Sequence, residues 1–148
     1  MSHTAGNLVI HLIFSTKERR PLITAAIRTD LFAYLGGIIR EMHGTAIIIN
    51  GTSDHVHLLI RMRPVHAAAE IARVVKANSS GWVKEKWNMR FAWQTGYGAF
   101  SVSESNVSAV SRYIAMQEEH HKMRTFQEEY VAFLKKNKIA YDERYIWR

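Results

Sequence analysis

The sequence predicts an α+β domain, and three observations predict it. Four short apolar, β-branched segments read as strands. The longer segments between and after them repeat apolar residues at three- and four-residue steps, as helices with one buried face do. Two of the strands are separated only by Gly51-Thr52-Ser53-Asp54, so they pair as an antiparallel hairpin.

In chain order, the first strand runs from Asn7 to Ser15 and contains His11, read as a packed or edge histidine. A charged loop, Lys17-Glu18-Arg19-Arg20-Pro21, follows. A helix is predicted from Thr24, as its cap, to about His43, with Gly44 as its stop. Its buried stripe is Ile27, Leu31, Leu35, Ile38 and Met42, and Gly36-Gly37 inside it suggests a bend or a close contact. Thr45 to Asn50 is the second strand, and the third runs from His55 to Met62 before Pro64. His66 to Trp87 reads as a second long helix with Ile71, Val74, Val75, Asn78 and Trp82 inward. Arg73, Lys76 and Lys84 share another of its faces. Glycines in Trp93–Val102 mark a turn, and Ala99 to Ser103 is the fourth strand. A helix capped by Ser105 or Asn106 reaches about Lys122. A last helix, Thr125 to Lys136, packs Phe126, Tyr130, Phe133 and Leu134, and the tail with Tyr141, Tyr145 and Trp147 docks on the body.

A chain of 148 residues, 47% hydrophobic and 22% charged, is expected to be one domain spanning residues 1–148. No cysteine is present, which excludes disulfides, thiolate metal sites and cysteine nucleophiles and fits a cytoplasmic protein. No apolar run reaches the roughly 18–20 residues of a membrane span. Met1 to Asn7 lacks the basic start and apolar core of a signal peptide. The formal charge of +7 favours a polyanionic partner, nucleic acid before membrane. Lys17, Arg19, Arg20, Arg61, Arg63, Arg73, Lys76 and Lys84 are the candidate phosphate contacts.

The chemistry centres on Asp54-His55-Val56-His57-Leu58-Leu59-Ile60. Side chains alternate along a strand, so His55 and His57 share a face, roughly 7 Å apart, while Val56, Leu58 and Ile60 face a core. Such a pair can hold one metal ion, or it can be polar surface. Asp54 can orient a histidine from behind, but its position favours a turn role. Tyr113 and Gln117 are four residues apart, one above the other on a helix. Of the six tyrosines only Tyr113 has a metal-capable residue four positions on, and His121 stands a further turn along as a reserve ligand. Tyr113 can be a nucleophile or, beside Val110 and Ile114, a packing residue.

These pieces carry a resemblance. His11–Lys17 with Arg19–Ile23, Gly51–Leu59, Trp93–Ser103, Tyr113–His121 and Phe126–Leu134 are similar, in order, to the single-tyrosine HUH transposases of bacterial insertion sequences, the IS-two-hundred-like family. The resemblance implies a ferredoxin-like or RNA-recognition-type α/β sandwich with an antiparallel sheet and flanking helices. It implies a homodimer whose tyrosine can serve its own or the other subunit's site. It implies cutting and rejoining of single-stranded DNA with subterminal hairpins at mobile-element ends, through a 5′-phosphotyrosine bond. On that pattern Tyr113 is the nucleophile, and His55, His57 and Gln117 hold Mg²⁺ or Mn²⁺. Neutral ligands leave the ion its full charge for the phosphate, which suits an open octahedral site better than closed zinc. The alternatives are a non-catalytic hairpin-binding protein on the same fold and a domesticated relative acting on host repeats.

Overall fold

The computed structural model describes residues 4–148. Met1–His3, part of the polar start considered above, lie outside the described residues. Elements follow in the order β1 (Leu8–Ser15), α1 (Ala25–Glu41), β2 (Thr45–Gly51), β3 (His55–Met62), α2 (Ala68–Lys86), β4 (Gly98–Val102), α3 (Val107–Ala115), α4 (Gln117–His120) and α5 (Phe126–Lys136). The first six make a β-α-β-β-α-β unit with sheet order β2-β3-β1-β4. Every neighbouring pair is antiparallel. This is the ferredoxin-like arrangement. No helix among the described residues is long and apolar enough to cross a membrane.

The pleat divides the molecule. Leu12 and Phe14 of β1 and Val56, Leu58 and Ile60 of β3 join Ile27, Leu31 and Leu35 of α1 and Ile71, Val75 and Val83 of α2 in the main core. On the other face Val9 and Leu59 meet Ile114, and Ile13 meets Phe100, Phe126, Tyr130 and Leu134. Both faces of β3 are therefore covered; His55 and His57 are each 0% exposed.

Several local expectations shift. Helix α1 closes one residue early: His43, not Gly44, takes the left-handed conformation (φ 65°), and Gly44 N–H donates to the Ile39 carbonyl. Thr24 and Asn106 stand at helix starts without a capping side-chain bond. Methyl groups at Gly36 or Gly37 would meet only ordinary contacts at 3.7 and 3.8 Å, so no tight approach explains that pair. Helix α2 starts at Ala68, and its buried line is Ile71, Ala72, Val75, Ser79 and Val83. Val74 and Trp82 only flank it, because the buried line follows successive four-residue steps. His66, outside the helix, accepts from Arg63 N–H and meets the Met42 carbonyl. The expected Asn106–Lys122 helix is broken: Met116 leaves helical geometry between α3 and α4. Helix α5 opens on a Thr125–Glu128 capping box. The tail docks as expected, with Trp147 against Phe126 and Tyr130.

Gly51, at the hairpin turn, has a backbone reason. A Cβ there would overlap the His55 main-chain oxygen and lie 2.9 Å from Val56 Cα. Gly51→Ala should lower the unfolding free energy, read from urea melts, by about 1–3 kcal/mol, well beyond any loss at Gly36→Ala. Equal stability of the two variants would show that the hairpin yields freely.

Candidate active site

Strand β3 carries His55 and His57 on the face covered by α3, α4 and α5. Asn50, near the end of β2, donates its side-chain amide to the Ile114 and Ala115 carbonyls at 2.9 and 3.3 Å. Those acceptors belong to the end of α3, so the Asn50 amide satisfies two carbonyls that the break at Met116 frees. Beyond the break the chain delivers Gln117, 0% exposed, to the site. Gln117 Oε1 lies 2.9 Å from His55 Nε2. Tyr113 approaches from the last turn of α3, its ring centroid 6.2 Å from that of His57. The structure thus brings together all four expected site residues within one chain.

It also adds a group that sequence reasoning missed. Glu129 of α5 is 0% exposed and sits at the centre. Its Oε1 lies 3.0 Å from His57 Nε2, 3.1 Å from His121 Nε2 and 3.5 Å from His55 Nε2. Its Oε2 accepts from the Tyr113 hydroxyl and, at 3.3 Å, from Gln117 Nε2. The signal was present: Glu129 stands three residues after Phe126 and four before Phe133, a carboxylate on an apolar stripe.

Two supports stand behind the histidines. Asp54 Oδ1 lies 2.8 Å from His55 Nδ1 and accepts from Thr52 Oγ1 at 3.1 Å. The favoured turn-only reading of Asp54 is therefore corrected, because its carboxylate orients His55. His11 Nε2 lies 2.7 Å from His57 Nδ1, so the histidine read as packing or edge backs the site and leaves His57 Nε2 facing Glu129.

The electrostatics follow from these contacts. Burial would raise the Glu129 carboxyl, but the imidazoles of His121, His55 and His57 hold it well below its usual range. Burial opposes charge on His55, yet the hydrogen bonds to Asp54 and Glu129 lift it to about 9. Burial dominates at His57, which falls to about 4, and at His11, which falls well below its usual value. Burial and then Glu129 push the Tyr113 hydroxyl up to about 12. Arg124 Nη2 donates to Tyr113 Oη at 3.1 Å, and the His120 ring stacks on Tyr113 at 4.4 Å.

The donor chemistry fits a divalent cation. Ligand atoms of His55, His121 and Glu129 lie within 4.8 Å of one another. Two ligands each about 2.1 Å from one ion lie roughly 3–4 Å apart, so small shifts close this set. The reserve residue His121 thus stands nearer the centre than its rank in the sequence reading implied.

The candidate DNA contacts are spread over the surface. Arg73, Lys76 and Lys84 line one groove with Gln94, Thr95 and Tyr97, about 400 Å³ in volume, beside α2 and thus across the sheet from Tyr113. Lys76 Nζ donates to the Thr95 and Gly96 carbonyls at 2.7 and 2.9 Å. Arg20, Arg61 and Arg73 pair with Glu18, Glu104 and Glu70. Lys17 and Arg19 lie in a short helical turn after β1, and Arg63 follows β3.

The sequence model described as "Transposase IS200 like" matches residues 4–117. The chain belongs to that family. IS200-like transposases are DNA-processing enzymes, and this one is 25% identical over 130 residues to the transposase of insertion sequence element IS200 from Salmonella typhimurium, covering 83% of this chain and 85% of the relative. The same figures hold for its Salmonella typhi counterpart. A crystal structure of a candidate transposase from Deinococcus radiodurans R1 has the same fold, with a TM-score of 0.64 at 23% identity, covering 79% of this chain and 98% of that one. A REP-associated tyrosine transposase bound to a REP hairpin superposes with a TM-score of 0.62 at 12% identity, covering 82% and 74%. His121, Arg124 and Glu129 lie beyond the matched residues 4–117.

The coupled histidines set a stability profile. His55, near 9 when folded, stabilises fully below its ordinary 6.5, and that contribution is lost as pH rises through about 9. His57, near 4 when folded, stabilises above 6.5, and that contribution is lost as pH falls toward 4. Urea midpoints of the cation-free protein should peak near pH 6.5 and fall on both sides. A flat profile from pH 5 to 9 would contradict this assignment of protons.

Proposed function

We propose that this IS200-like transposase cuts and rejoins single-stranded DNA, with Tyr113 as the nucleophile. The supporting observation is convergence. The Tyr113 hydroxyl and the His57 and His121 imidazoles meet one buried carboxylate, Glu129, and His55 and Gln117 close the same pocket. The phenolic oxygen forms a bond to a backbone phosphorus, and the bond to the 3′ oxygen breaks. That oxygen leaves with the electron pair and takes up a proton, giving a 5′-phosphotyrosine and a 3′-OH. The linkage keeps the energy of the broken bond, so a 3′-OH can later reverse the attack.

His55, His57 and Gln117 would hold a divalent cation; of these, His55 lies in a cluster with His121 and Glu129 whose ligand atoms are within 4.8 Å of one another, so His121 and Glu129 are further ligand candidates. When bound there, the cation neutralises the phosphate charge that repels a nucleophile and draws on the carboxylate that otherwise holds the tyrosine hydroxyl. The chain's own groups do the rest. Asp54 and His11 fix the two rings from behind, and Arg124 reaches the phenolic oxygen. A hydroxyl raised to about 12 is a poor nucleophile while Glu129 holds it, so attack requires that bond to loosen.

The DNA is read as hairpin-bearing. A fold neighbour binds a REP hairpin, and the groove of Arg73, Lys76 and Lys84 offers cations on the opposite sheet face. The homodimer belongs to this proposal on the resemblance alone, since Tyr113 meets the histidines of its own chain.

A denaturing-gel assay tests the chemistry. Labelled single-stranded DNA from the element's ends should give a covalent adduct with Mn²⁺ or Mg²⁺ and none with EDTA. Tyr113→Phe should abolish it, and His55→Ala or His57→Ala should lower it by at least about 100-fold. Hairpin binding without any wild-type adduct would favour a binding module instead. Light scattering should give twice the mass of the chain; a monomer at micromolar concentration removes the dimer and leaves the chemistry within one chain.

A further inference from the structure

A second recess opens beside the tyrosine, and no imidazole is among the residues that line it. It has a volume of about 340 Å³ and is lined by Asn106, Val110, Tyr113, Arg124, Phe133 and Lys136, with alanines between. That is within the usual size of a small-ligand pocket. Its chemistry is mixed: two cationic side chains and an amide stand against an apolar wall. Arg124 sits at the tyrosine end, one N–H on Tyr113 Oη. A guanidinium has five donors in a planar fork, so four remain for a second ligand.

Position, not pairing, sets these cations apart. Among the described residues Arg124 and Lys136 form no ion pair, as most of the lysines and arginines here do not, but these two line the recess that Tyr113 borders. An arginine at the nucleophile's oxygen and a lysine in the same recess, both without an anion, match successive phosphates of one strand.

We propose that this recess receives the nucleotide adjoining the attacked phosphate. Arg124 holds the non-bridging oxygens of the phosphate that Tyr113 attacks. Lys136, with Asn106, holds the neighbouring phosphate, and Val110 and Phe133 flank the sugar or base between. The inference rests on Tyr113 being the nucleophile.

The test uses the full chain and the adduct assay at varied DNA concentration. The substrate is end DNA, unmodified or carrying an uncharged methylphosphonate in turn at each phosphate flanking the attacked one. Arg124→Ala should slow adduct formation at saturation roughly 10- to 100-fold, with Arg124→Lys restoring part of the rate. Lys136→Ala should raise the half-saturating concentration roughly 10-fold. At one flanking position the methylphosphonate should have the same effect, and variant and modified DNA together should lose no more than either alone. Additive losses at both positions, or an unchanged Lys136→Ala, overturn the inference while wild-type adduct persists. Absence of wild-type adduct defeats the nucleophile reading, and the recess falls with it. The non-additivity needs no Arg124 variant, so misfolding of Arg124→Ala does not decide the outcome.

Discussion

The site depends on one buried charge. Glu129 is 0% exposed, and a carboxylate taken from water costs several kcal/mol unless its oxygens are satisfied. Here they are satisfied by groups from separate parts of the chain: His57 from β3, Tyr113 from α3, Gln117 from α4 and His121 just after it. Burying this charge therefore fixes where α5 lies against the sheet, and brings Tyr113 and the imidazoles together. The same contacts explain the spread of proton affinities, with one histidine raised and its neighbour lowered. Two imidazoles that close cannot both gain a proton cheaply, and Asp54 decides in favour of His55.

The sheet supplies rigidity for this arrangement. Alternation along β3 turns Val56, Leu58 and Ile60 toward the main core while His55 and His57 face the helices opposite. The histidines are thus held by a fully packed central strand, paired on both sides. A register slip of one residue would put imidazoles in the core and valine in the site. The groove of α2 cations and the tyrosine recess fall on opposite faces of the same sheet.

Much of this was legible in the sequence because it is local. Period-two and period-three-to-four apolar patterns place β1 to β4 and the long helices within one or two residues. The short Gly51–Asp54 link makes β2 and β3 neighbours. His55 and His57 share a face through the pleat alone, and Tyr113 and Gln117 are separated by a helical turn even across the break at Met116. These residue types in this order point to the family without any fold.

What the tertiary structure alone decided depends on elements far apart in the chain. Glu129 reads locally as one more acidic residue in a charged helix; only the docking of α5 over β3 makes it the centre of the site. His11 meets His57 because β1 pairs with β3 across 46 residues of sequence. Asp54 leaves its turn role because the adjoining imidazole is desolvated and needs a partner. The break at Met116 is permitted by Asn50, from a strand sixty-odd residues earlier. Spacing along the chain therefore determined which candidate groups could share one face or one helical turn. Burial and long-range pairing decided which partners hold them, because the cost of an unsatisfied charge is set by everything packed around it.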